Sequence, residues 1–80
     1  MPHYVLYGTL GCHLCELAQA LLAPWQHAGH IALTRVDIAD SASLVERYGV
    51  HIPVLQEHHG PRSLYWPFNA QTLAEFLQTA

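Results

Sequence analysis

The chain of 80 residues contains no lysine and only three arginines, and its formal net charge is −3 at pH 7. Nucleic-acid binding relies on clusters of basic side chains that neutralise phosphates, so this composition excludes it. The same shortage of cations argues against attraction to an anionic membrane surface. No apolar run reaches the ~20 residues that a membrane-spanning helix needs. We therefore expect no nucleic acid and no membrane among the partners.

Charged residues are also few, at 11% of the chain, whereas 51% of the residues are hydrophobic. This apolar content excludes intrinsic disorder. The length allows one hydrophobic core, so we predict a single domain over residues 1–80. The N-terminus lacks the positive segment of a secretory signal, and we expect a cytoplasmic protein. Because the composition predicts apolar surface patches, we expect a monomer or weak self-association.

Cysteine is scarce as well, because the only two, Cys12 and Cys15, belong to one Cys-x-x-Cys motif. A disulfide across so short a loop gains only roughly 1.9 kcal/mol in the chain-entropy treatment. Small secreted proteins instead use several long-range disulfides. The pair is therefore better explained by chemistry than by structural stabilisation.

Apolar periodicity predicts the order strand, helix, strand, helix, strand, strand, helix. The strands are expected at residues 3–7, 31–38, 53–57 and 62–66, and a His-His-Gly-Pro turn joins the last two. Asp40-Ser41 is predicted to supply the N-cap of the second helix, and Asn69 that of the third. The first helix is expected to begin at Cys12 and to bury one face, formed by Leu14, Leu17, Ala18, Leu21, Leu22 and Trp25. We predict an α/β fold with a four-stranded mixed sheet and about three helices.

Pro24, Gly49 and Pro53 allow further predictions about the backbone. Pro24 cannot donate a hydrogen bond to the carbonyl of Ala20, so we expect it to bend or end the first helix. Gly49 follows the second helix, where a C-terminal cap favours positive φ. Pro53 follows Ile52 at the start of a strand, which fits either a cis peptide bond in a tight turn or an ordinary trans bond.

Cys12 is the predicted reactive residue, because it lies between the first strand and the first helical turn. Unpaired N–H groups and the helix dipole stabilise a thiolate there, and the thiolate is the reactive form. Cys15, one turn further along, could then resolve a mixed disulfide on Cys12. Gly11 has no side chain to block the approach to the Cys12 sulfur, but it could equally be present only to form the turn. His13 could stabilise the thiolate when protonated, or could face solvent without a role.

Other polar residues also have two interpretations. Asp37 could relay a proton to Cys15, or it could be a solvated acid at the end of a strand. His51 precedes the strand-opening proline and could lie near the site. His58 and His59 fall on the predicted hairpin turn and are interpreted as polar turn residues.

A single Cys-x-x-Cys motif also resembles half of a zinc site, and seven histidines are available to complete it. A zinc ribbon needs a second cysteine pair, which the chain lacks, so redox chemistry is favoured and no metal site is predicted. Two alternatives stay open. One is a carrier that holds zinc or copper(I) through the thiolates, and the other is a redox adaptor without catalytic activity.

These motifs together resemble the thioredoxin superfamily and, within it, small bacterial glutaredoxin-like proteins. The resemblance rests on the segments YGTLGCHLCE, VDI, VHIPVL and WPF, at residues 7–16, 36–38, 50–55 and 66–68. It implies a thioredoxin-like fold and a thiol-disulfide oxidoreductase that acts on protein or small-molecule disulfides. It also implies a role in electron transport and cell redox homeostasis, without a bound cofactor.

The resemblance further implies roles for individual residues. Cys12 is implied as the nucleophile and Cys15 as the resolving thiol, with Pro53 in a cis peptide bond facing the sulfur. The backbone of Ile52 is implied to pair with a bound substrate strand. Trp66 lies in the loop where such proteins bind glutathione, and it could line an apolar substrate groove or belong to the core.

Three departures from typical glutaredoxins make glutathione a doubtful partner. The motif contains His13-Leu14 in place of Pro-Tyr, and the chain has no lysine to bind a glutathione carboxylate. Residues 64–69 also replace the usual Gly-Gly-x-x-Asp sequence. Arg62 and Asn69 are the side chains that could substitute.

Overall fold

The computed structural model describes residues 1–78. Its strands are β1 (His3–Gly8), β2 (Ala32–Asp37), β3 (Val54–Glu57) and β4 (Ser63–Tyr65). Its helices are α1 (His13–His27), α2 (Ala42–Tyr48) and α3 (Ala70–Gln78), and a 3₁₀ turn at Ile38–Asp40 precedes α2. The order of strands and helices along the chain is the predicted one. Within residues 1–78, every helix is too short or too polar to cross a bilayer.

The strands form one sheet in the order β2-β1-β3-β4. β1 runs parallel to β2 and antiparallel to β3, and β3 and β4 form the predicted hairpin. This arrangement confirms the four-stranded mixed sheet. It also places β1 in the interior of the sheet. The chain passes from the carboxyl end of β1 to the cysteine motif.

Helices pack on both faces of the sheet. Alternate residues of β1 point to opposite faces and so contribute to different clusters. On one face, Tyr4 and Leu6 belong to the larger core cluster, together with buried residues of α1 and α3. On the other face, Tyr7 packs against a smaller cluster formed by Ile38, Tyr48 and Val54. The cysteine motif, at the start of α1, therefore lies on the side of the larger cluster.

The buried face of α1 is narrower than expected. Its buried residues are Cys15, Ala18 and Leu22, which recur at three and four residues. Leu14 and Leu17 were expected to face the core but are 41% and 42% exposed. The prediction for these two leucines is wrong, because they lie on the neighbouring helical stripe, which nothing in residues 1–78 covers completely.

Of the two predicted effects of Pro24, the structure excludes the ending of α1 at that residue, because the helix continues to His27. Pro24 removes only one backbone hydrogen bond, to the carbonyl of Ala20, close to the end of the helix. The helix ends where Gly29 adopts a φ of 75° and donates its N–H to the carbonyl of Gln26 at 3.0 Å. This left-handed glycine is a common helix terminator.

Gly49 ends α2 as expected, but not by the expected conformation. Its φ is −53°, so the predicted positive φ is wrong. The N–H of Gly49 donates to the carbonyl of Val45 at 2.8 Å, and a side chain at this position would collide with that same oxygen. Glycine therefore leaves space here for the carbonyl oxygen of Val45.

Candidate active site

Cys12 and Cys15 form a disulfide at the start of α1, with their Cα atoms 5.2 Å apart. Cys12 is the N-cap of the helix, with extended backbone, and its Sγ accepts the N–H of Cys15 at 3.1 Å. That N–H is one of the groups that have no partner inside the helix. The helix terminus therefore offers a hydrogen bond and a positive dipole to a negative charge on Cys12.

The two cysteines differ in accessibility. Cys15 is 4% exposed, whereas Cys12 is only partly buried. Gly11 precedes Cys12 with a φ of 75°, and a Cβ added to it would meet nothing within 4 Å. Cys12 is therefore the more accessible of the two cysteines.

Gly8, the last residue of β1, lies against the buried sulfur. A Cβ at Gly8 would be 2.7 Å from Cys15 Sγ and 3.3 Å from Cys15 Cβ. Only glycine leaves room for Cys15 in its present position. Sequence reasoning missed this role, because a glycine at the end of a strand is also what an ordinary turn requires.

A cavity of about 200 Å³ lies beside Cys15. Gly8 pairs with Asp37 in the parallel register of β1 and β2, and Leu6 pairs with Arg35. Paired residues on neighbouring strands, about 4.8 Å apart, point to the same face of a sheet. Asp37 and Arg35 therefore lie on the side of the sheet that carries Cys15, and both line the cavity.

Asp37 is half-buried, and it is not the fully solvated acid that one interpretation of the sequence suggested. Its Oδ1 accepts the N–H of Ala39 at 2.9 Å and so begins the 3₁₀ turn. Among residues 1–78, no cation forms an ion pair with this carboxylate. The cavity thus brings an acid with spare hydrogen-bonding capacity to the side of the buried cysteine.

His13 follows Cys12 on the solvent side of α1. Its Nδ1 lies 3.9 Å from Glu16 Oε2, and the two side chains are 79% and 71% exposed. Water screens charges that are this exposed, and Glu16 partly compensates any charge on His13.

The predicted substrate-binding loops form a second group. The Ile52–Pro53 peptide bond is cis, Pro53 is fully buried, and Ile52 packs against the smaller core cluster. A second cis bond, Trp66–Pro67, was not expected from the sequence. The N–H of Trp66 donates to the carbonyl of Pro53 at 3.2 Å, which ties the two loops together. Trp66 is half-buried, and its ring packs edge-on against Phe68 at 4.9 Å.

The structure brings several predicted site residues to one end of the sheet. Gly11 and His13 flank Cys12, and Gly8, Arg35 and Asp37 join the site from β1 and β2. Tyr7 pairs with Val54 in the register of β1 and β3, so Pro53 lies beside the end of β1 that contains Gly8.

The two side chains that could have replaced glutathione-binding residues already have structural partners. The Arg62 guanidinium lies 3.1 Å from Glu57 Oε2, donates to the carbonyl of Phe76 at 3.0 Å and lies over that ring. Its hydrogen bond holds the pKa of Glu57 below the usual value. Asn69 Oδ1 accepts the N–H of Thr72 at 2.9 Å, as an N-cap of α3. Both side chains serve the fold.

Comparison with known proteins agrees with this geometry. The family described as Glutaredoxin-like domain (DUF836) matches residues 3–78. The crystal structure of target protein XcR50 from X. campestris is 39% identical, covers 96% of this chain and 97% of its own, and superposes with a TM-score of 0.83. No curated protein sequence matches the chain.

Two thioredoxins have the same fold at low sequence identity. A mutant thioredoxin from Halobacterium salinarum NRC-1 is 13% identical, with 98% of this chain and 73% of that chain covered and a TM-score of 0.73. Thioredoxin O2 from Arabidopsis thaliana in the oxidized state is 15% identical, with 99% and 74% covered and a TM-score of 0.67. The architecture is therefore a thioredoxin-like α/β fold.

Proposed function

The chain belongs to the glutaredoxin-like domain family, and from this premise we propose that it is a thiol-disulfide oxidoreductase. The family and the paired cysteines support a thiol redox role. The proposal of an oxidoreductase rests on the different environments of the two cysteines. Cys12 is accessible and caps a helix, whereas Cys15 is buried against Gly8.

The proposed reaction has two exchange steps. The Cys12 thiolate attacks one sulfur of a substrate disulfide, a mixed disulfide forms, and the first substrate thiolate leaves and takes a proton from solvent. Cys15 then loses its proton and attacks Cys12 Sγ, which releases the second substrate thiolate. The substrate gains two electrons and the cysteine pair becomes a disulfide; the reverse sequence oxidises a substrate dithiol.

Asp37 is the proposed acceptor of the Cys15 proton. Burial disfavours the thiolate form of Cys15, so the second step needs a base. The register of β1 and β2 places the Asp37 carboxylate on the same side of the sheet as Cys15. The shared cavity of about 200 Å³ has room for a water molecule, which occupies ~30 Å³, to carry the proton.

The proposed substrates are protein or small-molecule disulfides, with glutathione a poor partner and no bound cofactor. Glutathione carries two carboxylates, which proteins usually bind through cationic side chains or N–H groups. Arg62 and Asn69 are engaged elsewhere in the fold. Arg35 is the cation that lines the cavity of the cysteine pair, and it lies on the side of the buried cysteine.

Trapping of the mixed disulfide tests the assignment of the two cysteines. Reduced Cys15→Ser protein, mixed with cystamine, is expected to accumulate a stable adduct on Cys12, because nothing resolves it. Reduced Cys12→Ser protein is expected to accumulate almost none, because Cys15 is buried. Intact-mass spectrometry measures both, with the double serine variant as the control. Equal trapping by the two single variants would contradict the proposal.

The metal-carrier alternative predicts zinc or copper(I) bound to the purified, reduced protein, which metal analysis would detect. Among residues 1–78, no group of three or more His, Cys, Asp or Glu side chains is arranged to hold a metal ion. The adaptor alternative makes a different kinetic prediction, because an adaptor would not turn over. Repeated cycles of disulfide reduction with a chemical dithiol as electron source distinguish it from an oxidoreductase.

A further inference from the structure

Strand β2 forms one edge of the sheet, because within residues 1–78 it pairs with β1 alone. The N–H of Ala32 donates to the carbonyl of Pro2 at 2.9 Å, so the backbone groups of Ala32 point towards β1. The hydrogen-bonding groups of successive residues in a strand point in alternate directions. Leu33, Arg35 and Asp37 therefore direct their N–H and C=O groups away from the sheet, where another strand could pair with them.

The sequence of β2 lacks the features that usually prevent such pairing. Proteins protect exposed edges with lysine, proline or a β-bulge. β2 contains neither lysine nor proline, and its register with β1 continues without a bulge over all 6 residues. Its one cation, Arg35, is followed two residues later by an acid, Asp37. A second copy of the same strand can therefore match both charges.

Arg35 and Asp37 do not neutralise each other within the chain. Both line the cavity beside Cys15, on one face of the sheet. Residues two apart along a strand are separated by about 6.6 Å, and among residues 1–78 neither of these two forms an ion pair. Asp37 Oδ1 accepts the N–H of Ala39, which leaves the other carboxylate oxygen available. Both side chains can therefore bind a group of opposite charge from another molecule.

We propose that two copies of the chain associate by antiparallel pairing of their β2 strands, with Val36 on the two-fold axis and Arg35 of each copy opposite Asp37 of the other. Arg35 and Asp37 then form the hydrogen-bonded pairs, as the direction of their backbone groups requires. Directly opposed side chains have Cβ atoms about 4.5–5.5 Å apart, which an arginine–carboxylate pair can bridge. Two such pairs form, one on each side of the axis, as a symmetric interface requires.

Charge favours this register over the others that the backbone directions allow. Pairing centred on Thr34 would place Arg35 opposite Leu33 of the second copy, where its charge is not matched. Pairing centred on Arg35 would place two arginines opposite each other, and pairing centred on Asp37 would do the same with two carboxylates. Like charges in directly opposed positions are destabilising. The register centred on Val36 therefore matches each charge with its opposite.

The second copy also contributes a residue to the candidate active site. Its Arg35 lies next to Asp37, which lines the cavity beside Cys15. A guanidinium there stabilises the carboxylate and occupies its available oxygen, so that Asp37 accepts a proton less readily. Association therefore slows the attack of Cys15 on the mixed disulfide. This consequence rests on the proposed function, whereas the association itself does not.

Single-cysteine variants test the register. In a Cys12→Ser, Cys15→Ser background, Val36→Cys places two thiols opposite each other in a non-hydrogen-bonded pair, with Cα atoms about 4.5 Å apart. A disulfide spans Cα distances of about 4.4–6.8 Å, so mild oxidation should give a covalent dimer, measured by intact-mass spectrometry. Thr34→Cys in the same background is the matched control, because the two copies of residue 34 would lie about 13 Å apart. Thr34 is more exposed than Val36, so accessibility alone would favour the control.

Sedimentation equilibrium of the oxidised protein tests the charge pairing. Two short strands bury less than the ~1,200 Å² of an ordinary stable interface, so dimers should form only at high concentration, roughly 0.1–1 mM. Arg35→Glu should lower the association constant at least about tenfold, because like charges then face each other on both sides of the axis. Adding Asp37→Arg to that variant should restore association. Arg47→Glu is the matched control, because Arg47 is exposed on α2 and the change in net charge is the same.

The outcomes separate the inference from the function. A wild type that stays monomeric, an equal loss in Arg35→Glu and Arg47→Glu, or cross-linking through Thr34→Cys but not Val36→Cys would overturn the inference. Thermal unfolding checks that each variant is folded. Absence of a mixed disulfide on Cys12 in dilute, monomeric protein would overturn the proposed function and leave the association in place. If both hold, the rate constant for resolving the mixed disulfide should fall by about twofold or more as the wild type dimerises, but should not depend on the concentration of Arg35→Glu protein.

Discussion

One carboxylate lies beside each end of β1, and the two differ in how many hydrogen-bond partners they have. At the carboxyl end, Asp37 lines a cavity beside Cys15, and its Oδ1 accepts one backbone N–H, that of Ala39. At the amino end, where the hairpin turn lies, both oxygens of Glu57 are bound by Arg62: Oε1 accepts its backbone N–H at 3.1 Å, and Oε2 lies 3.1 Å from its guanidinium. We refer to these as the cysteine end and the hairpin end.

The comparison separates polar groups that hold the fold from polar groups that can act in a reaction. At the hairpin end, each carboxylate oxygen has a partner, so the pair closes the turn and has little capacity for a ligand. At the cysteine end, the carboxylate faces a cavity and a redox-active sulfur. A carboxylate can accept a proton from a neighbour only if its lone pairs are not all engaged.

Substituting a glycine at each end is expected to give the largest difference. In Gly8→Ala the new methyl would lie 2.7 Å from Cys15 Sγ, which the disulfide and the core hold in place, so the oxidised protein should lose about 1–3 kcal/mol of stability. In Gly60→Ala the methyl would meet the end of the Glu57 side chain, which can shift by weakening its two bonds to Arg62. Its cost should stay below about 1 kcal/mol.

Urea denaturation of the oxidised proteins measures both changes. If the two alanine variants lose equal stability, the packing of Gly8 against Cys15 does not distinguish the cysteine end from the hairpin end.

Removing the acid at the cysteine end is expected to have the next largest effect. Asp37→Asn should slow the resolution of a preformed mixed disulfide on Cys12 by about tenfold at pH 7, because general-base catalysis is lost. The amide oxygen of asparagine can still accept the N–H of Ala39, so the 3₁₀ turn should persist. The deficit should shrink as the pH rises, because solvent then deprotonates Cys15 directly.

A pH profile of single-turnover thiol release measures this effect. Asp40→Asn is the matched control, because Asp40 is an exposed acid in the same 3₁₀ turn. A deficit that is constant from neutral to alkaline pH would indicate a structural effect of Asp37 in place of proton transfer.

The smallest effect is expected at the hairpin end, on stability and not on reactivity. The hydrogen bond from Arg62 lowers the pKa of Glu57 from its ordinary value of 4.5. A carboxyl group whose pKa is lowered by folding stabilises the folded state above the unfolded pKa, and this stabilisation is lost as the pH falls through the folded pKa. In Arg62→Met, which keeps an aliphatic contact to Phe76, the loss between about pH 5 and pH 3 should be shallower than in the wild type.

Thermal unfolding across that pH range measures the difference, and the rate of disulfide exchange at pH 7 should match the wild type. Parallel stability curves for Arg62→Met and the wild type would show that the pair does not contribute to acid sensitivity.

The features predictable from the sequence were those set by local signals. The order of strands and helices, the hairpin turn and the caps at Ser41 and Asn69 all follow from residues close together in the chain. The location of Cys12 at a helix terminus also follows from the end of one strand and the start of one helix. A thioredoxin-like fold could therefore be proposed from pattern and motif together.

The features that could not be predicted depend on tertiary packing. The amphipathic pattern of α1 does not show how wide a stripe the sheet covers, so Leu14 and Leu17 were wrongly placed in the core. The contact between Gly8 and Cys15, and the position of Asp37 beside them, depend on strand register, which no local signal reveals. The single domain, the cytoplasmic location and the absence of nucleic-acid and membrane partners stay predictions.

The contact between Gly8 and Cys15 also restricts how far the buried sulfur can move when the protein is reduced. Opening a disulfide separates two sulfurs that were bonded at about 2.05 Å. Gly8 lies against the sulfur of Cys15, which is buried, whereas Cys12 is only partly buried. Reduction should therefore displace Cys12, the outer cysteine, and so change the shape of the protein surface around it. A binding partner could then distinguish the oxidised protein from the reduced one by that change in shape.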